Sequence, residues 1–150
     1  MNKGAYNYLL YSNTGLFGRN KIKEIIKQRD ELYKKNGINW NTQLTDEYRI
    51  RKLIELDVIA ILTVYDSEGL VAISEMTKAD KNMRIMRLLV DKDNRKQGIA
   101  TEMLKIWKDK FMNDKEAIRL WLSTSNEEAK RVYKKIGFEE IGQCAMVIEK

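Results

Sequence analysis

The stretch Leu88-Leu89-Val90-Asp91-Lys92-Asp93-Asn94-Arg95-Lys96-Gln97-Gly98-Ile99-Ala100-Thr101 constrains this chain more than any other. An apolar run that reads as a buried strand stops at Val90. Four polar residues turn the chain, and Arg95 to Ala100 opens a helix of apolar period. A strand that feeds a helix through a basic, glycine-bearing turn is a way to hold phosphate. The first N–H groups of the helix have no intrahelical acceptor and carry the positive end of its dipole. Gly98 has no Cβ, so an anion can approach the backbone closely.

What surrounds this stretch narrows the class. A chain of 150 residues, 43% apolar and 33% charged, is expected to form one soluble globular domain with its own core. No apolar run nears the roughly 18 to 20 residues of a membrane span, and Met1 to Tyr6 lacks the apolar segment of a secretory signal. Histidine is absent, which excludes zinc sites and histidine-based triads. The single cysteine, Cys144, cannot form an internal disulfide. The expectation is a metal-free cytoplasmic protein that does not associate with membranes. A net charge of +6 suggests an anionic partner. The basic residues are scattered, however, and a general nucleic-acid surface is not indicated.

Along the chain, Tyr6 to Tyr11 reads as a weak first strand. Asn20 is a candidate cap for a helix with Ile22, Ile25, Ile26, Leu32 and Tyr33 on its apolar positions, ended by Gly37. Thr45 is a candidate cap for a second helix carrying Ile50, Leu53 and Ile54. Val58 to Tyr65 is continuously β-like and reads as a strand covered on both faces. Asp66-Ser67-Glu68-Gly69 turns it into a strand from Leu70 to Met76, and Asp80-Lys81-Asn82 into another from Met83 to Val90, an antiparallel meander. A helix over 98–112 buries Ile99, Met103, Ile106, Trp107 and Phe111. It joins strands 83–90 and 117–122 into a right-handed βαβ unit with parallel strands. Asn126 caps a short helix that Gly137 closes, and terminal strands follow, broken near Gly142 and Gln143.

Two blocks converge. Arg95-Lys96-Gln97-Gly98-Ile99-Ala100 matches R/Q-x-x-G-x-G/A. Asn126 to Phe138 matches N-x-x-A-x-x-x-Y-x-x-x-G-F. Taken singly, Tyr133 reads as a packing residue beside Ala129, Val132 and Ile136, and Asn126 as an N-cap. Their order and joint spacing say more: over residues 45–150 the chain resembles the GNAT N-acetyltransferase family. That resemblance implies an α/β (α+β) fold, a mixed, mostly antiparallel sheet of six to seven strands flanked by about four helices, forming a single acetyltransferase domain over 1–150. It implies acetyl-CoA as co-substrate, with the turn Arg95, Lys96, Gln97, Gly98, Ile99, Ala100 and Thr101 against the pyrophosphate. The backbone of Leu88, Leu89 and Val90 would line the pantetheine arm where the strand bulges and splays from its parallel neighbour. Asn126 would contact the cofactor, and Tyr133 would protonate the leaving thiolate. In this family exposed late strands often pair, so the resemblance allows a homodimer.

The chemistry needs these parts. Acetyl transfer to an amine passes through a tetrahedral intermediate, so an N–H freed by the bulge, assigned to Leu89, must face the oxyanion. An O–H donor assists the thiolate. The amine, a small molecule or peptide, must arrive neutral although a lysine-type amine has a pKa of about 10.4. Here the chain departs from the family: where a basic carboxylate is common it has Arg84 and Leu122-Ser123, leaving Glu75 as the nearest substitute, and Lys92 stands where the turn commonly has proline. These departures keep two other readings open, a catalytically silent acyl-CoA sensor and, from the charge alone, acetylation of an amino group carried on RNA.

Overall fold

The computed structural model describes residues 5–14, 21–40 and 46–150. Seven strands form one sheet: β1 (Asn7–Tyr11), β2 (Ile59–Asp66), β3 (Gly69–Ala79), β4 (Asn82–Val90), β5 (Arg119–Ser123), β6 (Glu139–Glu140) and β7 (Ala145–Glu149), in spatial order β1-β2-β3-β4-β5-β7-β6. Four α-helices cover it: α1 (Lys21–Lys35), α2 (Glu47–Glu55), α3 (Ile99–Asn113) and α4 (Glu127–Ile136). Every strand pair is antiparallel except β4 with β5. The mixed sheet, the meander β2–β3–β4 and the parallel βαβ unit expected from sequence are all present. Among the described residues no helix is long and apolar enough to cross a membrane.

Strand alternation sorts the side chains into two cores. Leu62, Val64, Met76, Met83, Ile85 and Leu120 face α3 and α4, where Trp107 and Phe111 are wholly buried. Ile59, Ile61, Ile73 and Leu89 face α1 and α2, against Ile22, Ile25, Ile50 and Ile54. Both faces of the central strands are therefore apolar, which is why Val58 to Tyr65 reads as an unbroken hydrophobic run. Asn20 and Thr45 lie outside the described residues. The side-chain cap of α2 is Asp46, which accepts hydrogen bonds from the N–H groups of Tyr48 (2.9 Å) and Arg49 (3.4 Å).

β4 is irregular. Its register with β3 shifts between Ile73 and Glu75: Leu89 lies opposite Ile73, Met86 opposite Glu75, and both Arg87 and Leu88 oppose Ser74. An inserted residue reverses the alternation that follows it. Met83 and Ile85 face α3 before the bulge, whereas Leu88 and Val90 do so after it, and Leu89 faces α1. Arg87 adopts φ +50°, an uncommon conformation for a residue with a side chain. Ser74 fixes this point. Its hydroxyl, buried like the Trp107 side chain, donates to the Met86 carbonyl (3.1 Å) and accepts the indole N–H of Trp107 (3.1 Å).

At the far edge, β6 is two exposed glutamates, Glu139 and Glu140. Shortness and charge both discourage another chain from pairing there.

Replacing Ser74 with alanine leaves the Trp107 N–H and the Met86 carbonyl buried without partners. The expected cost is about 1–3 kcal/mol. In urea denaturation it should show as a lower midpoint at unchanged slope.

Candidate active site

The β4–β5 pairing is brief. Asn82, Met83 and Arg84 pair with Arg119, Leu120 and Trp121, and there the parallel ladder ends. Beyond Arg84 the strands diverge, and the bulge at Arg87–Leu88 follows three residues later. Asp91 donates its N–H to the Val71 carbonyl (2.8 Å). By the alternation of an extended strand, Leu89 also turns its N–H toward β3, while Leu88 and Val90 turn theirs toward the opened side. This corrects the assignment of the free N–H: the ladder takes Leu89, and Leu88 is the residue beside the bulge with an outward amide.

The turn after β4 is anchored from α1. Asp91 is buried, and its carboxylate accepts from Lys35 Nζ (2.7 Å) and Asn36 Nδ2 (3.2 Å). The Asn36 carbonyl oxygen in turn accepts the Lys92 N–H (2.9 Å). Burial opposes the charge of Asp91, but the Lys35 and Asn36 hydrogen bonds outweigh it and hold the carboxyl below its ordinary range. After a short 3-10 turn over Lys92–Asn94, Lys96 takes φ +63° and Gly98 takes φ +79° as the N-cap of α3. The left-handed conformation at Gly98, with open space where a Cβ would stand, aims the first amides of α3 outward.

The turn, the diverging β4 and α4 enclose a cavity of about 480 Å³. Of the residues singled out from sequence, Leu88, Leu89, Val90, Arg95, Lys96, Gly98, Ile99, Ala100, Thr101, Asn126 and Tyr133 line it. Gln97 does not; its side-chain carbonyl accepts a hydrogen bond from the Tyr6 hydroxyl ahead of β1. The Arg95 side chain folds back to donate to the Val90 carbonyl (3.2 Å).

Asn126 is an N-cap as well as a lining residue. Its Oδ1 accepts from the N–H groups of Glu128 (2.9 Å) and Ala129 (3.1 Å), leaving Nδ2 as the group it offers the cavity. Tyr133 lies two turns along the same helix face, its ring 6.1 Å from that of Phe138. Burial pushes its phenol above the ordinary tyrosine range, so the hydroxyl keeps its proton at neutral pH. Gly137, at φ +119°, stops α4 directly after this face, its N–H bonding the Tyr133 carbonyl (3.2 Å).

Asn94, Glu128, Ala129 and Val132 also line the cavity and were not singled out from sequence. Ala129 and Val132 were findable, since both share the helical face that runs from Asn126 to Tyr133. Asn94 is buried at 3% exposure with no partner for its Nδ2, which only the tertiary structure reveals.

Glu75 lines neither this cavity nor the one across the sheet described below. It is enclosed on the α1 side, 3.0 Å from Arg87 and 3.9 Å from Arg29. Burial raises its pKa while the two guanidiniums pull the other way. Enclosed in this way, the carboxylate orients Arg87 and lines neither cavity itself.

Comparison with known proteins agrees with this geometry. The family model described as "Acetyltransferase (GNAT) domain" matches residues 29–146. The chain belongs to the GNAT acetyltransferases, acetyl-CoA-dependent N-acyltransferases. Three solved structures illustrate the shared fold. A GNAT-family acetyltransferase from Streptococcus pneumoniae superposes with a TM-score of 0.71 at 13% identity, over 95% of this chain and 99% of that one. Spermidine N-acetyltransferase from Vibrio cholerae, in complex with CoA and spermine, gives 0.65 at 14%, over 95% of each chain. A predicted acetyltransferase from Clostridium acetobutylicum, with acetyl-CoA, gives 0.63 at 17%, over 93% of each. No curated protein matches the chain.

Gly98→Ala places a side chain in the left-handed region, at an expected cost of about 1 kcal/mol or more. Because that conformation aims the anion-binding amides, calorimetric affinity for CoA should fall by about tenfold.

Proposed function

We propose that this chain transfers the acetyl group of acetyl-CoA directly to a small primary amine. One observation carries the reading: the outward edge of β4, the amides at the start of α3 and the Tyr133 phenol border a single cavity where β4 leaves β5. The residues fit such a ligand. Bare amides at Gly98 to Thr101 suit a diphosphate, an unpaired strand edge suits the peptide-like pantetheine arm, and the unpartnered Nδ2 of Asn94 is a further donor at the turn. Bound acetyl-CoA supplies an activated thioester carbonyl.

The protein's own groups then do the following. The outward N–H of Leu88, held by the Ser74-anchored bulge, donates to the carbonyl oxygen as it gains charge on attack. Tyr133 keeps its proton until the C–S bond breaks and gives it to the departing sulfur. With Glu75 enclosed and Arg84 where a carboxylate is common, the amine sheds its proton to water. That shortage of a free base favours a second reading, a CoA-binding sensor without turnover. Release of free thiol on adding amines separates the two, because a sensor binds acetyl-CoA and releases none. We assign residues 1–150 to one cytoplasmic acetyltransferase domain.

Tyr133→Phe should lower turnover by about 10²-fold or more while calorimetric acetyl-CoA affinity stays within a factor of two or three. Loss of affinity at unchanged turnover would contradict the acid role. In the wild type, kcat/KM should rise about tenfold per pH unit toward the amine's own pKa, with no decline up to pH 10, since burial holds the phenol above the ordinary tyrosine range. A decline between pH 8 and 10 would mean that Tyr133 is not the acid.

A further inference from the structure

A second cavity, of about 280 Å³, opens on the α1 side of the same fork and is lined by Trp40, Arg84, Ile85, Met86, Arg87 and Ser123. It touches the first through the strand itself, because Arg87 precedes Leu88, whose amide faces the reacting carbonyl. Its volume lies at the small end of ligand pockets and suits a molecule of amino-acid size.

The charges in this cavity are one-sided. Two guanidiniums line it and no carboxylate does. Arg84 stands at the last paired rung of β4 and β5, with its guanidinium 4.5 Å from the Trp121 ring centroid. That contact holds the group in place without neutralising it. Among the described residues Arg84 makes no ion pair, and its Nε is buried without an acceptor. Glu75, the buried carboxylate nearest Arg87, is shared between Arg87 and Arg29. The carboxylates of Glu31, Asp66, Glu68, Asp91 and Asp93 line a different cavity, between α1, the β2–β3 turn and the turn after β4.

An arginine fixed against an aromatic face with an unmet donor is suited to a carboxylate. A polycation would meet the Arg84 charge, which has no ion pair among the described residues, and the face of Trp121 is already taken by Arg84.

We propose that the acceptor is a small primary amine carrying a carboxylate, in the manner of an α-amino acid, with that carboxylate held by Arg84 and Arg87. The inference rests on the acetyl-transfer reading and names its second substrate. The ammonium first gives one proton to water; the neutral nitrogen then forms a bond to the acetyl carbon, the carbon–sulfur bond breaks, sulfur takes the Tyr133 proton, and the second nitrogen proton passes to water, from which the Tyr133 phenolate regains its own. Cation and carboxylate then stay paired through the reaction, while the ammonium charge is lost as the amide forms.

The test is thiol release with a panel of α-amino acids, each paired with its carboxamide, and with spermidine, after calorimetry has measured acetyl-CoA binding. With kcat/KM expressed per neutral amine, the preferred amino acid should exceed its carboxamide by about tenfold or more, the discrimination one charge-assisted pair provides. Spermidine should be poorer still. Arg84→Gln should raise KM for the amino acid toward that of the carboxamide while acetyl-CoA affinity holds. Should that variant lose acetyl-CoA binding through misfolding, the wild-type ratio decides alone. Equal or better use of carboxamides or spermidine overturns the proposal, as does a protein that binds acetyl-CoA yet turns over none of the panel. Failure to bind acetyl-CoA at all would instead remove the acetyl-transfer reading, and this proposal with it.

Discussion

The extra residue at Arg87–Leu88 reverses which side chains of β4 face α3 and α4, and it comes three residues after the end of pairing with β5. Both effects stem from one backbone event, and the rest of the structure is arranged to keep it. Ser74 occupies the gap opposite the insertion, and the Trp107 indole braces Ser74 from the centre of α3. On the other face, Glu75 holds Arg87 by its guanidinium just where the backbone is least comfortable. A strained conformation persists when its surroundings over-determine it, and here both sides of the sheet contribute.

The site then follows from what the bulge leaves over. A parallel pair that stops after three rungs exposes a strand edge, with its amides and carbonyls available to a ligand rather than to a neighbour. α3 and α4 complete the enclosure with quite different means: backbone donors at the start of α3, and side chains along one face of α4. Asn126 and Tyr133 are adjacent on that face because seven residues make close to two helical turns.

Much of this was legible in sequence because it depends on local chemistry. The strand–turn–helix at 88–101, the period of Ile99, Met103 and Trp107, and the N-x-x-A-x-x-x-Y spacing each express a short-range rule, and each holds. What depends on distant contacts was not readable. Leu89 and Leu88 are equally apolar, and only the register against Ile73 and Ser74 shows which amide faces outward. Glu75 looks like any strand carboxylate until Arg29, 46 positions earlier, is placed beside it. Gln97 sits inside the recognised motif, yet the Tyr6 hydroxyl draws its side chain elsewhere. Arg84 carried a legible anomaly, a cation where the family resemblance implied an acid, but the cavity it lines with Trp40 and the Trp121 ring beneath it appear only in the folded chain.

The link between α1 and the turn after β4 reaches beyond stability. Lys35 and Asn36 grip Asp91 and Lys92 at one end of the diphosphate cradle, and the chain that continues from them arrives within four residues at Trp40, a wall of the opposite cavity. One short connected segment thus touches both the turn and the second cavity, where the two proposed substrates would sit. Any preference this segment has for one arrangement when the first substrate is seated becomes an altered affinity for the second, and thermodynamic reciprocity makes the influence equal in both directions. Such a coupling would be set by the last turn of α1 as much as by the fork itself.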